Sequence, residues 1–202
     1  MSHNIHFNED KQQHSFFSVK ETAWHKLGQV IADYPTSKEA LKFAGLDFEV
    51  IKRPNIHRLD NGDELISNNS FFTCRSDNNA ILGDRLGADY EVVQNTEAFA
   101  FFDAIVGGDG IQYETAGALG KGEKIFITAK LPGYIKVGKD DLVEKYLFLT
   151  TSHDGYGSIT AAFTPIRIVC ANTLSAAMQR HSNSIKIRHT ANAKDRLEQA
   201  LR

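Results

Sequence analysis

The chain has 202 residues, 42% of them hydrophobic and 24% charged, and its formal net charge at pH 7 is −2. That length allows one large domain or two small ones, with enough apolar content for a real core. No apolar run approaches the eighteen or so residues of a membrane-spanning helix, two cysteines are too few for a disulfide scaffold, and the near-neutral balance is not that of a wholly basic domain.

The charge is unevenly placed. Residues 1–164 carry 16 Lys/Arg against 23 Asp/Glu, whereas residues 165–202 carry seven against two. A basic end on an acidic body points to an anionic partner, although a solvated helix gives the same counts. The opening "MSHNIHFNEDKQQH" is polar and of mixed charge, so it does not read as a secretory leader. Cys74 and Cys170 read as two reduced, mostly buried thiols, which places the protein in a cytoplasm.

Residues 1–20 read as a flexible or peripheral segment in which "SFFSV" adds an edge strand. In "TAWHKLGQVI", Trp24, Leu27 and Ile31 recur at helical spacing, which predicts a helix with Trp24 and Leu27 in a core stripe; the other reading of the indole is a base-stacking platform. In the next stretch Thr36 or Ser37 caps a short helix, Glu39 lies in its first turn and Gly45 stops it. "DFEVIKRP" alternates as a strand ended by Pro54, and Asn61-Gly62 marks a hairpin turn. "SFFTCRSDNNAILG" gives a strand, a turn and a further extended segment. "DYEVVQNTEAFAFFDAIVGG" gives a strand, then a helix capped by Asn95 or Thr96, with Phe99, Phe102 and Ile105 on one face and Gly107-Gly108 as its stop.

From 111 to 170 the pattern is almost wholly β: "IQYETAGAL", "KIFITAKLP", "YIKV", "KYLFLTTS", "GSITAAFT" and "IRIVC". "ANTLSAAMQR" predicts a helix, "SIKIRH" a strand and "TANAKDRLEQALR" a second helix. Segregated strands and helices predict an α+β fold, predominantly an antiparallel β-sheet with several packed helices. Residues 21–202 read as one domain, with a division near 107–111 as the alternative. The final helix has no Gly, Asn or Pro terminator, so either a longer natural chain or a frayed helix end is expected.

The residues with chemistry concentrate in "YLFLTTSHDGYGSITAAFTPIRIVCANTLSAAMQR", residues 146–180. Asp154-Gly155 and Gly157 suit a turn that holds Ser152, His153 and Asp154 at its tip. His153 can exchange a proton near neutral pH and Asp154 can orient an imidazole, but three consecutive letters do not make a triad in space. Catalysis, phosphate contact and plain turn architecture all remain readings of this stretch. Arg167, between Ile166 and Ile168 on a predicted strand, either forks onto a phosphate or pairs with an acidic residue. Cys170 stands at a helix start, where a thiol can be activated, or it is a small packing residue; Asn172 is the predicted cap.

"GALGKGEKIFI" fails the Walker spacing and reads as a tight hairpin carrying Lys121 and Lys124; the dinucleotide fingerprint is absent. There is no HExxH and no close Cys/His cluster, so neither a metal nor a cofactor is expected. The basic end is more continuous. Arg180, Lys186, Arg188, Lys194 and Arg196 span a helix, a strand and a helix, and alternation puts Lys186 and Arg188 on one strand face, able to track a phosphate backbone or to form a solvated surface.

"AWHKLG", "YEVVQNTEAFAFFDAI" and "SHDGYGSITAAFTPIRIVCANTL" together resemble the phage- and plasmid-like DUF932 family, over roughly residues 20–190. The resemblance implies a setting in mobile elements, around replication, recombination or host conflict, and carries over no catalytic residue. The leading expectation is nucleic-acid binding, in particular single-stranded DNA binding or annealing, with Arg167, Lys186, Arg188, Lys194 and Arg196 on the backbone and Tyr156 stacking a base. The alternatives are an enzyme acting on a phosphate-bearing substrate through His153, Asp154 and Arg167, and a structural or partner-binding module that forms a homo-oligomer.

Overall fold

Short runs of alternating apolar residues become strands throughout the computed structural model, which describes residues 3–106, 112–137 and 141–199. In chain order these elements are β1 (Phe7–Asn8), β2 (Gln13–His14), β3 (Phe16–Val19), β4 (Gln29–Ile31) and α1 (Ser37–Phe43). There follow β5 (Val50–Arg58), β6 (Glu64–Arg75), β7 (Ile81–Leu86) and α2 (Asn95–Val106). The remainder comprises β8 (Gln112–Leu119), β9 (Lys124–Val137), β10 (Asp141–Ser152), β11 (Ile159–Thr164), α3 (Ala171–Gln179), β12 (Ser182–Ile187) and α4 (Ala193–Gln199). Seven strands form a large sheet in the order β12-β11-β10-β9-β8-β3-β4, and β5-β6-β7 form a smaller one. Among the described residues every strand pair is antiparallel except β3–β4, which matches the predicted α+β class.

Both faces of the large sheet are covered, and for that reason its strands read as almost continuous apolar runs. Ile125, Ile127, Leu147 and Leu149 point into one cluster with Phe99 and Phe102 of α2, Ala40 of α1 and Leu197 of α4. Phe126 and Phe148, one residue out of phase, point into the other with Phe16 and with Leu174 and Ala177 of α3. Burying each such side chain contributes about 1.5–3 kcal/mol.

Several predicted features form as read. Thr36 caps α1 with a reciprocal bond, its backbone N–H donating to Glu39 Oε2 at 2.9 Å, and Gly45 follows at φ 64°. Leu59 to Asp63 make the turn joining β5 to β6, with Gly62 at φ 90°. The loop between β8 and β9 is the tight glycine hairpin. The Gly107-Gly108 stop, the alternative division near 107–111 and the end of the last helix lie outside the described residues.

Other features differ for identifiable reasons. Residues 5–19 are not peripheral: Phe16, Phe17 and Val19 are buried, and β3 lies inside the large sheet between β8 and β4. The helix predicted around Trp24 does not form. Lys26 and Gly28 both take positive φ, and a Cβ on Gly28 would lie 2.3 Å from the Phe16 carbonyl oxygen, so the chain turns tightly into β4. Trp24 is 61% exposed, which removes it from the core stripe. Pro54 does not end its strand, because β5 is an edge where a missing N–H costs no ladder bond; the strand passes through with a bulge before Ile56. "DYEV" is not a strand, and "IRIVC" leaves the sheet after Pro165 as irregular chain, its Ile168 carbonyl accepting instead from Thr115 Oγ1 at 2.5 Å.

The two sheets are joined by a residue that no local pattern marked. Arg75, at the end of β6, is fully buried. Its guanidinium forks onto Asp77 (Nε–Oδ1 2.9 Å, Nη2–Oδ2 2.7 Å), and Nη1 donates to the Lys121 carbonyl in the β8–β9 turn at 3.1 Å. The Phe48 ring lies 3.8 Å below it, and His6 Nε2 accepts from Nη1 at 3.3 Å. That bond requires a neutral His6: burial first, and then the Arg75 charge, lower its pKa to about 4. Asp77 is exposed and is rehydrated when its partner goes, whereas the Lys121 carbonyl and His6 Nε2 lose a charge-assisted donor. Arg75→Met is therefore expected to lower unfolding free energy by about 1.5–3 kcal/mol in urea titration. Arg75→Lys, which keeps the charge but loses the fork, should recover less than half of that.

Candidate functional site

β10 delivers the chain into the turn of residues 153–158, and the turn is built by its own polar groups. Asp154 Oδ1 accepts from Ser152 Oγ at 2.8 Å and from the Tyr156 N–H at 2.9 Å. Gly155 takes φ 84°, and a Cβ on Gly157 would fall 2.2 Å from Ser152 Oγ. Ser152, His153 and Asp154 do not converge as a triad: the hydroxyl meets the carboxylate directly while the imidazole points into the protein.

His153 is 0% exposed; three separate elements take its backbone groups and its ring Nε2, while its buried Nδ1 has no hydrogen-bond partner among the described residues. Its N–H donates to the Glu123 carbonyl at 2.7 Å, its carbonyl accepts from Thr73 Oγ1 at 2.6 Å, and Nε2 lies 2.9 Å from Asn95 Oδ1. Asn95 Nδ2 donates to the Leu46 carbonyl, so its Oδ1 is the acceptor and His153 carries its proton on Nε2. Asn95 is thus committed inside the first turn of α2 and does not cap it. Gln94 precedes that turn, its N–H held by Glu97 Oε2 at 2.7 Å and its side-chain amide bridging the N–H and C=O of Val50.

The neighbourhood is equally closed. Tyr90 donates to the Ser152 carbonyl at 3.2 Å, and burial, then the Asp154 charge, hold its phenol well above the ordinary range. His189 donates from Nδ1 to the Glu91 carbonyl at 3.1 Å and accepts from Thr151 Oγ1 at 2.8 Å. Gly83 of β7 approaches so closely that a Cβ would lie 2.7 Å from Asp154 Cα.

The other basic and nucleophilic candidates fall in different places. Arg167 Nε pairs with Glu114 Oε1 at 2.7 Å, and its Nη2 reaches the Val19 and Glu21 carbonyls. Lys194 pairs with Glu97 at 2.8 Å beside α2, on the face opposite α3. Cys170 is fully buried in the α3 cluster, and it, not Asn172, takes the N-cap position, with Thr173 Oγ1 accepting from its N–H at 3.0 Å. Arg188 and Arg196 are exposed, as is Lys186. The predicted basic residues therefore do not make one continuous face.

A cleft of about 560 Å³ opens between α3 and the large sheet, and Asp154, Tyr156 and Lys186 meet there. Its sheet wall is a cross-strand row: Thr150 of β10 is paired with Thr160 of β11, which is paired with Lys186 of β12. One step along, Ser152 of β10 is paired with Lys124 of β9. Leu174, Ser175 and Met178 of α3 form the opposite wall, and Tyr156, 81% exposed, stands at the rim. Lys124, Thr150 and Thr160 were missed as site residues. The available signal was hydroxyl residues on the polar phase of adjacent apolar strands, in "LFLTTS" and "SITAAFT". Among the described residues no three His, Cys, Asp or Glu side chains are grouped to hold a metal ion, and no helix is long and apolar enough to cross a membrane.

The sign of the His153 contribution to stability follows from its burial, which lowers its pKa from 6.5 to about 3, with His189 adding to the shift. The neutral form is favoured in the fold, so this stabilisation is complete above pH 6.5 and is lost as pH falls toward 3. Unfolding free energy is expected to drop by about 2 kcal/mol between pH 7 and pH 5 from this residue alone. In denaturant titrations at both pH values, His153→Gln should be less stable at pH 7 yet show a shallower fall. An unchanged fall would contradict the assignment.

A family model described as "Domain of unknown function (DUF932)" matches residues 84–202. The match takes in the α2 and 152–174 motifs and leaves "AWHKLG" outside. No curated protein and no solved structure matches the chain. With more than half of its length under that match, including the whole docked turn and α3, the chain belongs to the DUF932 family.

Proposed function

We propose that the protein binds single-stranded nucleic acid in the cleft between α3 and the β9–β12 surface. The observation that carries this reading is the pair of exposed lysines, Lys124 and Lys186, separated across the cleft wall by Thr150, Ser152 and Thr160. The lysines stand three strands apart, which separates their backbones by roughly 14 Å. That spacing suits two phosphates of one strand better than a single small phosphate. The Thr150 and Ser152 hydroxyls donate within the protein, to the Ile125 carbonyl at 2.8 Å and to Asp154 Oδ1, so the two lysines supply the phosphate contacts. Tyr156 at the rim offers an aromatic face to an unstacked base.

The two carboxylates at the cleft are already engaged. Asp154 accepts from Ser152 and Tyr156, and Glu123 accepts from the Lys121 N–H at 2.6 Å. Arg167 and Lys194, neutralised by Glu114 and Glu97, are left out of the contact set, as is Arg188, which follows β12 and does not line the cleft. A role in mobile-element replication or recombination agrees with the phage- and plasmid-like resemblance. The enzymatic alternative has no observation in its favour here, because His153 is sealed away from the cleft.

Fluorescence anisotropy with matched single-stranded DNA, duplex DNA and RNA over a salt series tests the proposal. Two phosphate contacts predict a slope of log K against log salt of about −1.4 for a single strand, collapsing toward zero in Lys124→Ala/Lys186→Ala. Tyr156→Ala should weaken binding by about 1–3 kcal/mol without changing that slope. Absence of salt-sensitive binding by the wild type would sink the proposal.

A further inference from the structure

We infer that the chain associates with itself head to tail, the tip of the β5–β6 hairpin of one copy entering a groove beside β11 and β12 of the next. The outer half of the hairpin stands clear of the body. Ile56 (56% exposed) and Ile66 (69% exposed) face each other directly across the two strands on one face of the hairpin, Leu65, one residue out of phase, is exposed on the other face, and Leu59 is exposed at the turn. Single exposed aliphatics are ordinary, whereas four on the two faces and turn of one projecting tip mark an interaction surface that can enter a groove. Between residues 56 and 66 the tip carries Asp60, Asp63 and Glu64 against Arg58 alone.

The groove has the opposite character. It is a cavity of about 720 Å³ lined by Leu131, Pro132, Phe163 and Pro165, with Lys145 and Arg180 as its charges and no carboxylate among the described residues that line it. An apolar, acidic tip and an apolar, basic groove complement each other in both respects, and the opposed charges select this pairing over tip against tip or groove against groove. Tip and groove are different surfaces of one molecule, so the contact is heterologous and repeats into a ring or an open chain. The cleft beside α3 takes no part in it.

Sedimentation velocity of the full chain over roughly 1–100 µM is the test, because a contact of this size belongs to the weaker class of specific interfaces. The wild type is expected to sediment faster as concentration rises. Ile66→Arg and Arg180→Glu, both at exposed positions, should each hold the chain as a monomer with unchanged thermal unfolding. Mixed in equal amounts they should form a heterodimer and grow no further, since the first variant keeps its groove and the second its tip. A wild type that stays monomeric at about 100 µM, variants that assemble as the wild type does, or a mixture that gives no heterodimer overturns the inference.

Discussion

The structure depends on one buried, neutral imidazole. His153 sits where β10 leaves the large sheet, and through its backbone and ring it holds the β8–β9 turn, β6 of the small sheet and the start of α2 at once. A buried polar group is tolerated when it is bonded, and here the bonds run to elements remote in sequence, so they fix relative position as well as local conformation. The same turn presents Tyr156 outward and Asp154 along the cleft. Placement of the candidate binding surface is therefore inseparable from the docking of the small sheet, whose Gly83 touches the turn backbone.

Arg75 provides a second tie of a different kind. Apolar burial of Phe48, Val50 and Leu82 brings the small sheet onto the core, but such packing is non-directional. The bidentate fork to Asp77 and the bond to the Lys121 carbonyl are directional, and they set the orientation at which the hydrophobic surfaces meet. His6 and Gly122 are shaped around that guanidinium, one as a neutral acceptor and the other as a residue with no room for a Cβ.

Much of this was legible in the sequence where the information is local. Thr36 with Glu39, the Asn61-Gly62 turn and the strands from 112 to 164 follow from a capping box, turn residues and alternation, and the helices at 95, 171 and 193 follow from the period of apolar positions, although the caps read at Asn95 and Asn172 do not form. The acidic and glycine residues of "SHDGYGS" identified the turn, and its Asp154 behaves as a turn builder. What sequence could not supply was the partner of a polar side chain. Arg167 stayed open between a phosphate and an acidic partner because Glu114 lies 53 residues away, and Lys194 looked free because Glu97 lies in a different helix. Trp24 suggested a core position by spacing alone, where positive φ at Lys26 and Gly28 decided otherwise. Lys124 drew notice only as a hairpin residue, since nothing in its surroundings in sequence reveals that β10 and β11 place hydroxyls between it and Lys186.

The position of β3 has a consequence for biosynthesis. Its antiparallel neighbour is β8, so β3 finds that partner only after about a hundred more residues have been added. At about 5–20 residues per second the interval is on the order of 5–20 s. During it Phe16, Phe17 and Val19 can be covered by β4 on one side but have no ladder on the other. Closure of the sheet is thus a late, long-range event, and until then the nascent chain exposes an adhesive aromatic edge to whatever folding assistance the cell provides.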